Sequence, residues 1–137
     1  MTAGDLAHER GMKVRREVLG DDYVDASIEQ TTPFTADFQD LITRYAWGET
    51  WTRPGLDRKT RSCITLTALM ALGLHEELAL HVRGALRNGL TEEEVKEVFL
   101  HGAIYCGAPA ARGAFAVAQR VIAEHGASQE AAEDQGE

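Results

Sequence analysis

The sequence predicts an all-α fold, a single-domain bundle of about six to seven helices. Three observations carry this. Apolar residues recur at three- and four-residue spacings along most of the chain. Glycine, proline or Asn-Gly punctuates the runs between them. Helix-start signals precede several of the runs. A length of 137 residues suits one domain with one sizeable core.

The elements follow in chain order. "DLAHERGMKVRREVLG" places Leu6, Val14 and Val18 loosely on one side and stops at Gly20, a thin helix with a basic middle. "DDYVDASIEQ" reads as a short helix. Over residues 32–47, Phe34, Phe38, Leu41, Ile42 and Tyr45 follow the i, i+4, i+7, i+8, i+11 pattern. Thr32 before Pro33 has the form of an N-cap with proline at the first helical position. "WGETWTRPGL" then breaks the period with Gly48, Pro54 and Gly55, and reads as a loop. Two tryptophans, a glutamate and an arginine crowd into it, and functional residues concentrate on loops held by rigid elements.

Asp57 can cap the next helix, "DRKTRSCITLTALMALG". Its "ITLT" has strand character, but the unbroken run around it favours a helix, apolar nearly all round and hence buried. Gly73 is its stop. "LHEELALHVRGALRN" follows and ends at Asn88-Gly89. In "LTEEEV", Thr91 and Glu94 form a capping box, and Leu90 with Val95 a hydrophobic staple. That helix buries Val95, Val98, Phe99, Gly102, Ala103 and Cys106. After Gly107-Ala108-Pro109, the small-residue helix "AARGAFAVAQRVIAEHG" closes the domain at residues 1–126. The acidic tail at 127–137 lacks large apolar residues and reads as disordered.

The formal net charge is -8, about half of it in the tail, which argues against non-specific nucleic-acid binding. It leaves room for an anionic small molecule, because a few local arginines suffice for a pocket. Cys63 and Cys106 lack CxxC spacing, so a thiol-redox pair is poorly supported. No apolar run reaches the roughly 18 residues of a membrane span, and the N-terminus has no apolar signal segment. The expected location is the cytoplasm, with no membrane or nucleic-acid partner.

His81 sits inside an apolar stripe with Leu78, Val82 and Ala85. A hydrogen-bonded core histidine is the bland reading, and a proton donor in a buried site the sharp one. Glu77, one turn earlier, is placed to orient the ring and keep its pKa high. His75 lies about 120° away around the helix, and "HEELALH" is not the HExxH zinc pattern, so no metal site is expected. Glu49 is either a solvated loop carboxylate or, between Trp47 and Trp51, a desolvated acid–base group. Arg53, Arg58 and Arg61 follow it closely; each is by default a surface or ion-paired residue, and together they can clamp carboxylates. Arg83 points to another face and ranks below them. Tyr105 reads first as a core tyrosine, beside a helix start whose free N–H groups suit an anion.

These residues resemble a known family. "WGETWTRPGLDRKTRSCITLTALMALG", "ELALHVRGALRNGLTEEEVKEV" and "YCGAPAARGAFAVA" are similar to γ-carboxymuconolactone decarboxylases, over roughly residues 5–126. The H-x-x-x-A-x-x-x-G-x-T-x-x-E run alone is shared with the wider alkylhydroperoxidase-D-like superfamily. The resemblance implies an all-α fold around a central helical hairpin, assembled as a homo-oligomer (a hexamer or trimer). It implies loss of CO2 from 4-carboxymuconolactone, a lactone dicarboxylate, to give the enol-lactone of 3-oxoadipate in protocatechuate breakdown, with no cofactor. The peroxidase branch carries a CxxC four residues before the histidine matched by His81. Here those cysteine positions are Leu74 and Glu77, so a thiol peroxidase would have no nucleophile.

On this reading His81 donates the proton, Glu49 supports acid–base work, and Arg53 or Arg58 binds the spectator carboxylate. Trp47 and Trp51 wall the ring, with Tyr105 a further substrate contact. Two other readings stand beside it: a superfamily member without redox thiols acting on another small substrate, and a helical oligomerisation module without catalysis.

Overall fold

A computed structural model describes residues 1–136 and shows, among them, seven α-helices and one π-helix, with no strand. Two compact units are distinguished, Met1–Arg61 and a second beginning at Ser62.

In the first unit, α1 (Ala3–Leu19) opens with a capping box in which Asp5 N–H donates to Thr2 Oγ1 at 3.1 Å and Thr2 N–H to Asp5 Oδ2 at 3.0 Å. Its buried stripe is Ala7, Gly11, Val14, Arg15, Val18 and Leu19. Leu6, expected on that side, is exposed. The small residues face inward because another backbone lies against them. A Cβ on Gly11 would strike the Thr43 carbonyl oxygen, and one on Gly48 the Ala7 carbonyl oxygen. Helix α2 (Asp21–Glu29) is tied to α1 by Arg16, which bonds Asp21 at 3.0 Å and Asp25 at 2.8 Å.

Helix α3 is shorter than its sequence pattern and starts later, at Ala36–Ile42. Thr32 does not cap it. The Thr35 hydroxyl instead accepts from the Thr32 N–H at 2.9 Å, which holds residues 33–35 in a turn. From Thr43 to Thr50 the chain is a π-helix, where a loop was expected from Trp47 onward. The wide turn is where Gly48 meets α1, and hydroxyls take up neighbouring carbonyls. Thr43 Oγ1 donates to Gln39 O at 2.8 Å, and Thr52 Oγ1 to Gly48 O at 2.7 Å. The periodic stripe of Phe34, Phe38, Leu41 and Tyr45 is helical in spacing but not in the core; all four are exposed, Phe34 at 95%.

Helix α4 (Arg58–Leu72) is capped by Asp57, whose Oδ1 accepts from Thr60 N–H at 2.8 Å. That bond holds the Asp57 carboxyl below its usual range. Burial is confined to Ser62, Leu66 and Met70, one stripe at four-residue spacing, while Ile64 and Leu72 are exposed. The all-round burial expected from composition is therefore replaced by a two-faced helix. Gly73 leaves it at φ +69°, a left-handed conformation that costs glycine little.

The second unit is built on α7 (Ala108–Gly136), against which α5 (His75–Arg87) and α6 (Glu92–Cys106) both pack. The α6 capping box forms as read, with Thr91 and Glu94 exchanging bonds of 3.0 and 3.1 Å over a buried Leu90–Val95 pair. Phe99 is fully buried and meets Phe115 edge-on, centroids 5.7 Å apart. With Leu66, Leu78, Val82 and Val121 it forms the apolar centre, each side chain contributing about 1.5–3 kcal/mol of burial. Of the other α6 residues expected inside, Val98, Ala103 and Cys106 are half-buried. Buried Ser62 is satisfied by Asn88 Nδ2 at 2.8 Å, which anchors the end of α5 to α4.

Beyond residue 126 the backbone stays helical through Gly136 with every side chain exposed, where an unstructured tail was expected. Alanine, glutamate and glutamine carry high helix propensity, so the helix continues without a core to rest on. Glu137 lies outside the described residues.

Candidate active site

His81 holds the register its sequence predicts. It lies on α5 beside Leu78, Val82 and Ala85, all fully buried. Burial pushes the imidazole pKa from 6.5 down to about 4. Glu77 was expected to hold that pKa up. It is exposed to water, and desolvation of the ring drives the shift downward. At neutral pH the ring is uncharged, a donor of one N–H bond and an acceptor of another. His75 is a separate group; it lies over α7, where a Cβ on Gly113 would come within 2.9 Å of its Nε2. Arg83 spans α5 to α7 through Glu124 at 3.6 Å, which gives it a structural partner.

The aromatic segment belongs to the first unit. Trp47 is 5% exposed, and Trp51 stacks on it with centroids 5.0 Å apart and planes at 21°. The two rings cover each other instead of flanking an open slot. Glu49, between them in sequence, points to solvent on the π-helix, so the desolvation expected of it does not occur. The helical turn separates Glu49 from the rings that an extended loop would have placed on either side.

The arginines divide by partner. Arg58 Nη1 pairs with Glu17 Oε2 at 2.7 Å. Arg61 Nη2 donates to the Arg53 carbonyl at 2.8 Å, which pins the loop backbone. The Arg53 side chain itself is exposed. Tyr105 is 80% exposed rather than in the core, its ring 5.5 Å from that of His101. Of the candidates, Trp47, Glu49, Trp51, Arg53 and Arg58 lie in the first unit, and His81 and Tyr105 in the second.

Two features escaped the sequence reading. The π-helix has no sequence signature; only the Gly11 and Gly48 pair, read together, points to the close backbone approach behind it. Arg15 is 6% exposed, a buried guanidinium whose Nη2 bonds Ser27 at 3.0 Å and Gln39 at 3.2 Å. Burial lowers its pKa. Its place in "KVRRE" resembles any basic surface run.

Residues 36–120 match the carboxymuconolactone decarboxylase family. The chain belongs to that family. A 4-carboxymuconolactone decarboxylase of Acinetobacter baylyi is 45% identical over 123 residues, 90% of this chain and 92% of the relative. A nitrosuccinic acid decarboxylase of Metarhizium robertsii is 49% identical over 114 residues, 83% of this chain and 80% of the relative. A 4-carboxymuconolactone decarboxylase of Pseudomonas putida is 48% identical over 42 residues, 31% of this chain and 88% of the relative. This member of the carboxymuconolactone decarboxylase family is accordingly a decarboxylase, a carboxy-lyase. No helix among the described residues is long and apolar enough to cross a membrane.

Proposed function

We propose that the chain decarboxylates 4-carboxymuconolactone to the enol-lactone of 3-oxoadipate, a step of protocatechuate breakdown, without a cofactor. The observation that carries the reading is the 45% identity to a 4-carboxymuconolactone decarboxylase across nine-tenths of both chains. The structure supports a role for His81 in it. As CO2 leaves, the carbon keeps the bonding pair, which spreads through the ring alkene onto the lactone carbonyl as a dienolate. A proton must then reach the carbon α to that carbonyl. A ring neutral in the free protein is not yet that acid. A dianionic substrate entering the same low-dielectric surroundings favours the protonated imidazole. The ring takes up a proton on binding and returns it to carbon after CO2 departs.

Arg53, exposed and without an ion pair among the described residues, suits the spectator carboxylate better than Arg58, which Glu17 already holds. Glu49, in contact with water, is assigned proton exchange with solvent. Trp51 retains one ring face for substrate, whereas Trp47 is committed to the interior.

A second reading rests on the nitrosuccinic acid decarboxylase, 49% identical. Nitrosuccinate, like the lactone, loses a carboxylate from a carbon whose electron pair an adjacent acceptor can take, here as a nitronate. It also keeps a carboxymethyl arm. Ultraviolet-monitored turnover of both compounds, side by side, decides between them. The expected result is a higher kcat/KM for the lactone. Arg53→Gln is expected to raise KM by about tenfold with little change in kcat, the mark of uniform binding. Turnover of neither compound would sink both readings and leave another substrate or a non-catalytic module.

The chain is further proposed to work as a homo-oligomer, a hexamer or trimer. Phe34 at 95%, Ile104 at 79% and Tyr105 at 80% exposure support it, since such large apolar side chains are commonly covered by another subunit. Light scattering of the purified chain should give a multiple of 15.0 kDa; a monomeric mass at micromolar concentration would refute assembly.

A further inference from the structure

We propose that a cavity of about 220 Å³ in the first unit, lined by Arg10, Lys13, Glu17 and Arg58, binds a small oxyanion carrying two or more charges. It goes beyond the decarboxylation reading, which gives Arg10 and Lys13 no role.

Three cations and one carboxylate meet in this concavity. Glu17 is bound to Arg58 at 2.7 Å, so it holds that guanidinium in place and cancels only one charge. An excess of two positive charges is left on a chain whose total is -8. Arg10 and Lys13 lie one turn apart on α1, and like charges so spaced repel each other. Neither has an ion-pair partner among the described residues. Buried Val14 also lines the cavity, and an apolar surface strengthens the interaction of any charge seated on it.

The volume lies below the roughly 300–1,000 Å³ of pockets for drug-sized ligands, which fits a phosphate or a small polycarboxylate. Guanidinium forks match both chemistries through paired N–H bonds. A monovalent anion would leave one excess charge uncompensated.

Calorimetric titration of the full-length chain at low ionic strength, with inorganic phosphate, citrate and acetate in separate runs, tests this. Saturable binding of phosphate or citrate at a single site is expected, with acetate weaker by about tenfold or more. The tighter of the two distinguishes a phosphate from a polycarboxylate ligand. In the Arg10→Gln, Lys13→Gln double variant that binding should weaken by about tenfold or more. Its melting temperature in anion-free buffer should be unchanged or higher, because a repulsion has been removed. Absence of saturable binding, binding unaltered in the double variant, or a lowered anion-free melting temperature (the mark of cations with a structural role) would each overturn the proposal.

Discussion

His81→Gln is expected to cut decarboxylation by about two to four orders of magnitude in kcat, the range over which a positioned proton donor acts. Glutamine keeps an N–H donor and comparable bulk but cannot carry a proton to carbon. The same variant has a second readout. In the folded chain His81 titrates at about 4, against 6.5 for an ordinary histidine. Between those values the unfolded chain binds the proton and the folded chain does not, so stability rises with pH across this window. The contribution is complete above pH 6.5 and is lost as pH falls to 4; it amounts to about 3 kcal/mol. Chemical denaturation of both proteins at several pH values should show the wild type losing that much more than the variant on acidification. A folded variant with near wild-type turnover would remove His81 from the reaction. Parallel acid-stability curves would show the ring to be solvated.

The largest structural effect is expected for Gly11→Ala. The new methyl would overlap the Thr43 carbonyl oxygen and sit 2.9 Å from Gly48 N, and both are backbone atoms that no rotamer change can move aside. Opening α1 from the π-helix should destabilise the first unit by about 3 kcal/mol, the upper range for overpacking. Gly4→Ala is the control. Its Cβ would meet nothing nearer than 3.7 Å, and removing a helical glycine should be neutral or stabilise by up to about 1 kcal/mol. Both tryptophans lie in the first unit, so intrinsic tryptophan fluorescence during unfolding reports on it alone. A Gly11→Ala loss below about 1 kcal/mol would mean that the two backbones are not in contact.

The motif "WGETWTRPGLD" illustrates the limit of reading along the chain. Its glycines and proline look like loop punctuation, yet Gly48 is a contact surface inside a π-helix. The arginines were legible as a group, but which of them stays available was not, because the partner of Arg58 is Glu17, 41 positions earlier. Exposed Phe34 and Phe38 show the same limit from the other side. Helical period says that residues share a face, and says nothing about what covers it.

The Thr91–Glu94 cap, the Asp57 cap and the Gly73 stop were all determined by neighbouring residues, since their hydrogen bonds and dihedral preferences close within one turn. The family followed from the sequence as well, because its motifs are contiguous. Only tertiary structure decided that Trp47 and Arg15 are buried and that His81 is neutral. Those properties depend on which distant atoms displace water from a group, and neither charge state nor exposure is encoded by the residues beside it.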